Sequence, residues 1–195
     1  MRADFKVLCL FIIFALAACA GPRAPMTLQQ EADMLYTRAS QLHEAESYDE
    51  ASEQFAEYVR KYPQSNSADN AKLQIANGHF QQGRYEEAIA TYQEIVNSYP
   101  DSDAADQAML SIGDAYFAQQ KIDEAIGAYE KLLQKYPRLG VQIAFKAQDR
   151  MKAMEDIEED MRIIEEGSEE EKDNAQYDIA SIYFMVFGNY ERARE

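Results

Sequence analysis

Between Asp33 and Pro137 the apolar positions fall into pairs of stripes, each with the three- and four-residue spacing that marks one face of an α-helix. In Ala71 to Pro100 the first stripe is Leu73, Ile75, Ala76, His79 and Phe80, and the second is Ala88, Ile89, Tyr92, Ile95 and Val96. Gly83-Arg84 interrupts the pattern between them. Pro100 ends the second stripe, because the residue before a proline is pushed out of the helical region. Each pair of stripes predicts a helical hairpin. The small Ala76 and Ala88 let the two backbones approach, and the Tyr92 ring fills the space beyond them.

The pattern recurs. Ala51, Ala88 and Ala125 lie 37 residues apart, and the same shift superposes Phe55, Tyr92 and Tyr129, then Tyr62-Pro63, Tyr99-Pro100 and Tyr136-Pro137. A unit of this size is too thin to bury its own apolar face and has to stack on its neighbours. The sequence therefore predicts an all-α solenoid of helical hairpins, with three units over 28–137.

In these residues the unit resembles the tetratricopeptide repeat. That family's small eighth, Ala twentieth, aromatic twenty-fourth and Pro thirty-second positions are matched by Ala39, Ala51, Phe55 and Pro63, by Ala76, Ala88, Tyr92 and Pro100, and by Gly113, Ala125, Tyr129 and Pro137. The family repeat is usually 34 residues long; here the extra residues follow the prolines, as Pro63-Gln64-Ser65 and Pro100-Asp101-Ser102, with Ala five and eight residues beyond each proline. This variant is similar to the BamD-like lipoproteins of the β-barrel assembly machinery and to the repeat domain of the Tol-Pal associated protein CpoB. The resemblance implies a right-handed superhelix whose first helices line a concave, protein-binding groove. Its fifth, ninth and twelfth positions would present Tyr36, Leu73 and Leu110, then Ser40, Asn77 and Asp114, then His43, Phe80 and Phe117, an apolar and aromatic peptide-binding groove. Phe80 and Phe117 fit packing between repeats equally well. A chaperone-type carboxylate clamp would need Lys at the fifth position and Asn at the ninth; only Asn77 fits.

The amino terminus has another character. Residues 1–18 read as a secretion signal, with Arg2 and Lys6 before an apolar run, Val7 to Ala17, too short to span a bilayer. Leu16-Ala17-Ala18-Cys19 resembles the bacterial lipoprotein box, which implies lipid attachment at Cys19. Cys9 leaves with the signal, so Cys19 would be the mature chain's single cysteine, free for acylation. Several acyl chains would suffice for stable anchoring. Ala20 in place of Asp implies, by the sorting rule of enteric lipoproteins, passage to the outer membrane with the protein on its periplasmic face. Residues 19–27 then form a lipidated tether containing two prolines, and Thr27 with Gln30 reads as a capping box that starts the first helix near Leu28.

Charge excludes one class of partner. With 35 acidic against 19 basic residues the formal net charge is −16, which repels phosphate backbones, so nucleic acid is not expected. Much of the excess lies between Asp149 and Asp173, and it overlaps 138–167, a degenerate acidic segment with helical spacing from about Val141 to Glu166 that reads equally as one long helix or as a decayed repeat. Its acids fit a solvated helix face better than a docking site for a basic partner. Gly167 is a stop, Ser168 and Glu171 form a second capping box, and 168–195 reads as the start of a further, truncated repeat. Its first helix would be apolar on most of its circumference, with one face left for a partner.

Chemistry is sparse. Two histidines, His43 and His79, stand without a Cys or carboxylate cluster at metal spacing, and neither a Gly-rich phosphate loop nor a nucleophile motif is present. The expectation is a non-enzymatic protein–protein scaffold in envelope biogenesis, without cofactor, metal or small-molecule substrate beyond the lipid on Cys19. By the BamD resemblance its partners belong to outer-membrane protein assembly. The alternative is a CpoB-like or pilus or secretion assembly partner linked to peptidoglycan or the Tol-Pal machinery.

Overall fold

A computed structural model describes residues 26–135 and 141–187. These residues form helices and turns only: α1 Leu28–Glu44, α2 Tyr48–Lys61, α3 Ala68–Gln81, α4 Tyr85–Ser98, α5 Asp103–Ala118, α6 Ile122–Lys135, α7 Val141–Glu166 and α8 Glu169–Met185. The chain divides into two units, Met1–Met34 and Leu35–Glu195. In the first, the described residues open α1 through the expected capping box: the Gln30 amide donates to Thr27 Oγ1 at 3.2 Å and the Thr27 amide donates to Gln30 Oε1 at 2.9 Å. The expected leader, Cys19 and most of the expected tether lie outside the described residues, as do 136–140, with the Tyr136-Pro137 marker, and 188–195.

In the second unit consecutive helices pack as antiparallel hairpins, and α3 also packs on α5, and α5 on α7, so that each hairpin rests on the next. The repeat markers account for this. Ala39, Ala51, Ala76, Ala88 and Ala125 are fully buried, as are the rings of Phe55, Tyr92 and Tyr129 that close on them. The residues inserted after the prolines act in the same way at the junctions. Ser65 and Ser102 donate backbone hydrogen bonds to the carbonyls of Tyr62 and Tyr99, both at 3.0 Å, and the turn they tighten delivers Ala68, Ala71, Ala105 and Ala108 to the core.

Each hairpin turns in the same conformation. Glu46, Gly83 and Gln120, 37 residues apart, all have positive φ (60°, 72° and 63°). Their amides donate to the carbonyls of His43, Phe80 and Phe117, and the next amides, of Ser47, Arg84 and Lys121, reach back to Leu42, His79 and Tyr116. This pair of bonds satisfies the last carbonyls of the helix and requires a left-handed residue, which only the middle unit supplies as glycine.

The segment that sequence left open is one helix. α7 runs unbroken for 26 residues, burying Ala147, Ala153, Met154 and Ile157 and exposing most of its carboxylates, so the acidic run is a solvated face. α8 packs back on α7, opened by Ser168 and Glu171, whose Oε2 accepts from the Ser168 amide at 2.8 Å and from its hydroxyl at 2.6 Å. Ile179, Ile182 and Tyr183 join the core formed by α5, α6 and α7, while Tyr177 and Met185 stay about three-quarters exposed (74% and 75%). Its apolar circumference is thus buried on one side only.

Candidate peptide-binding groove

The nine residues expected to line a groove occupy three tiers of α1, α3 and α5, and most of them meet partners within their own hairpin. The fifth-position residues face the paired helix. Leu73 and Leu110 are buried, and Tyr36 stands edge-on to Phe55 and Tyr58 at centroid distances of 5.4 and 5.3 Å. Leu73 and Leu110 thus serve hairpin packing: burying a large apolar side chain gains about 1.5–3 kcal/mol over leaving it exposed.

The ninth-position residues serve the aromatic of their own unit. The Tyr92 hydroxyl donates to Asn77 Oδ1 at 2.7 Å and the Tyr129 hydroxyl to Asp114 Oδ1 at 2.6 Å. In the first unit the aromatic is Phe55, without a hydroxyl, and Ser40 bonds instead to the Tyr36 carbonyl at 3.0 Å. Burial pushes both tyrosine hydroxyls well above the ordinary phenol value, and the negative charge of Asp114 adds to this at Tyr129. Both therefore stay protonated and donate.

Asp114 has a second partner that the sequence reading missed. Arg150 of α7 holds it through two guanidinium nitrogens, Nε to Oδ1 and Nη2 to Oδ2, the latter at 3.1 Å. Such a two-point charge-assisted pair fixes orientation as well as distance, so it pins α7 across α5. Arg150 lies 36 residues after Asp114, close to the repeat spacing, which is the signal that could have revealed it.

The twelfth-position residues pack at the hairpin turns. His43 meets the Tyr48 ring at 5.1 Å and Phe80 the Tyr85 ring at 5.4 Å, both edge-on. Phe117 is instead covered by α8 and its end, with Phe187 stacked on it at 3.9 Å and Tyr183 at 5.5 Å. The Arg150 guanidinium stands 5.9 Å from the Phe187 ring centroid, completing a small aromatic and cationic closure over the third unit.

What remains accessible along α3 is polar: residues 70, 74, 77 and 81 form one face, Asn-Gln-Asn-Gln, exposed at both ends and half-buried between them. The same face of α5 is closed at Ser111, which is buried, and at Asp114, which Arg150 holds. Side-chain amides offer a donor and an acceptor together, which suits the backbone of an extended peptide; a face without Lys or Arg does not suit a terminal carboxylate. Among the described residues no group of three or more His, Cys, Asp and Glu is placed to hold a metal ion, and no helix is long and apolar enough to cross a membrane.

The tetratricopeptide repeat family matches residues 36–103 and 73–139, together just over half of the chain. This chain is a tetratricopeptide-repeat protein. No curated protein sequence matches it. Among solved structures the repeat array is similar to the TPR2AB domain of yeast Sti1 in complex with pHSP90, at 18% identity and a TM-score of 0.52, covering 84% of this chain and 76% of that one. It is similar to the same degree, TM-score 0.52 at 13% identity, to a putative kinesin light chain of Podosopora anserina, with 87% and 92% covered. At such identities the likeness establishes the fold of the tetratricopeptide array. The family is one of repeat scaffolds that bind other proteins.

Proposed function

We propose that this protein is a lipid-anchored, non-enzymatic scaffold of the bacterial envelope, held at the periplasmic face of the outer membrane through Cys19 and engaging other envelope proteins with its repeat array. The observation that carries the reading is the union of two features in one chain. A lipoprotein box, Leu16-Ala17-Ala18-Cys19, precedes a tetratricopeptide array whose 37-residue spacing resembles the BamD-like lipoproteins of outer-membrane protein assembly. The yeast Sti1 neighbour in complex with pHSP90 supports a protein ligand for an array of this kind. The polar face of α3 supports main-chain recognition of an extended segment rather than capture of a chain terminus.

The test has two arms. Metabolic labelling with palmitate should mark the wild type and not Cys19→Ser, and the variant should leave the membrane fraction; labelling of Cys19→Ser, or its unchanged membrane association, removes the anchor. Affinity purification from detergent-extracted membranes should recover barrel-assembly subunits. Recovery of Tol-Pal components or cell-wall synthases in their place moves the protein to a CpoB-like role.

A further inference from the structure

Between α4, α5 and α6 runs an open groove of about 870 Å³. Two of the α5 residues that floor it, Ile112 and Tyr116, each stand two positions from Asp114, roughly 200° round the helix, so it lies on the other side of α5 from the groove above. Its floor is apolar, formed by Val96, Met109, Ile112, Tyr116 and Ala128. Its rim is charged at two places, Asp123 and Glu124 at the start of α6 and Lys131 about two helical turns, roughly 10 Å, further along.

The same place one unit earlier is bridged by polar side chains. Met109 corresponds to Lys72 and Lys131 to Glu94, and those two meet at 3.5 Å across it. Tyr116 corresponds to His79 and Glu124 to Glu87, which approach to 3.6 Å. Ala90 is replaced by Gly127, where an added Cβ would meet nothing within 4 Å. In the third unit, then, a cross-groove ion pair and a His–carboxylate approach have given way to an apolar floor with a side chain missing above it, while the rim keeps charges of both signs.

We infer that this groove docks a short amphipathic segment of a partner protein, one that sets two or three apolar side chains on Met109, Ile112 and Tyr116 and carries a basic residue against Asp123 and Glu124 and an acidic one against Lys131. The volume suits a few side chains, and opposite charges at the two ends fix the direction of the bound segment. A second copy of this chain is the poorer occupant, because both would bring a formal charge of −16 to the contact. The inference rests on the scaffold reading and adds a second surface to it, on the far side of α5.

The test uses the full-length chain in detergent micelles and a fluorescent amphipathic helical peptide of about twelve residues, with leucines on one face and a Lys and a Glu seven positions apart to match the rim. The wild type should bind it. Gly127→Leu, which fills the groove from a position with open space, should weaken binding at least about tenfold with the melting temperature retained. Lys131→Glu, an exposed change that leaves the fold alone, should weaken this peptide and strengthen one with Lys at both places. No binding by the wild type, or equal binding by Lys131→Glu or by a folded Gly127→Leu, overturns the groove assignment. A wild-type dimer in sedimentation that Gly127→Leu dissociates overturns it in favour of self-association. Either result leaves palmitate labelling and affinity purification untouched, so the scaffold reading stands or falls separately.

Discussion

The hydroxyl of Tyr92 and the side-chain oxygen of Asn77, fifteen residues apart and 2.7 Å from each other, form a pair that the next unit repeats as Tyr129 and Asp114. The first unit lacks both members, having Phe55 and Ser40. The chain thus contains its own control. Where the ring has a hydroxyl, the ninth position is Asn or Asp; where it has none, a small residue satisfies itself on its own helix. Tyr92→Phe should therefore destabilise by about 1 kcal/mol by leaving Asn77 without its donor. Adding Asn77→Ser, which recreates the first unit, should recover most of the loss in a chemical-denaturation double-mutant cycle. Strictly additive losses would show that the two side chains do not act as a pair.

Two helix glycines should respond oppositely to alanine. A Cβ on Gly113 would overlap Cε1, Cζ and Cδ1 of the Tyr129 ring, which is fully buried and cannot retreat, so Gly113→Ala should cost about 1–3 kcal/mol. Gly127 has open space around it, and Gly127→Ala should gain up to about 1 kcal/mol from helix propensity alone. Thermal melts of the two variants, measured side by side, should move in opposite directions.

The hairpin turns offer a third contrast. Glu46 and Gln120 hold a left-handed conformation that glycine adopts freely, whereas Gly83 already supplies it. Glu46→Gly and Gln120→Gly should each stabilise by about 0.5–1 kcal/mol, and Gly83→Ala should cost about 1 kcal/mol. A loss of stability in both glycine variants would mean that the side chains at 46 and 120 contribute more than their backbone strain removes.

Stability should fall on mild acidification. His43 and His79 are half-buried, and burial lowers both imidazoles below their ordinary value of 6.5; at His79 the Arg84 charge adds to this. The unfolded chain then binds protons that the folded chain does not, so the contribution of these groups is complete above about pH 6.5 and is lost as pH falls from there through the lowered folded-state values. Replacing both with side chains found at equivalent positions, His43→Phe and His79→Tyr, should flatten the melting temperature between pH 7 and 5. An unchanged slope would assign it to carboxylates.

The repeat, its 37-residue period and the hairpin were legible in sequence because they rest on local rules. Apolar spacing sets the helix face, a proline ends it, and an alanine recurring at 51, 88 and 125 marks where backbones touch. Both capping boxes, at Thr27 and Ser168, are local in the same sense. Only the tertiary structure decided what each polar and aromatic side chain does once its helix is placed. Asn77 and Asp114 were open to a ligand on sequence grounds and are spent on tyrosine hydroxyls, because a buried donor without an acceptor costs more than a groove contact gains. Arg150 and Phe187 reach across from α7 and the end of α8 to close on Asp114 and Phe117, contacts between residues 36 and 70 apart whose meeting depends on how α7 and α8 fold back. The groove over Gly127 appears only when one unit is compared with the next in space, since it is made by the absence of the Ala90 side chain and the Lys72–Glu94 ion pair that the preceding unit has.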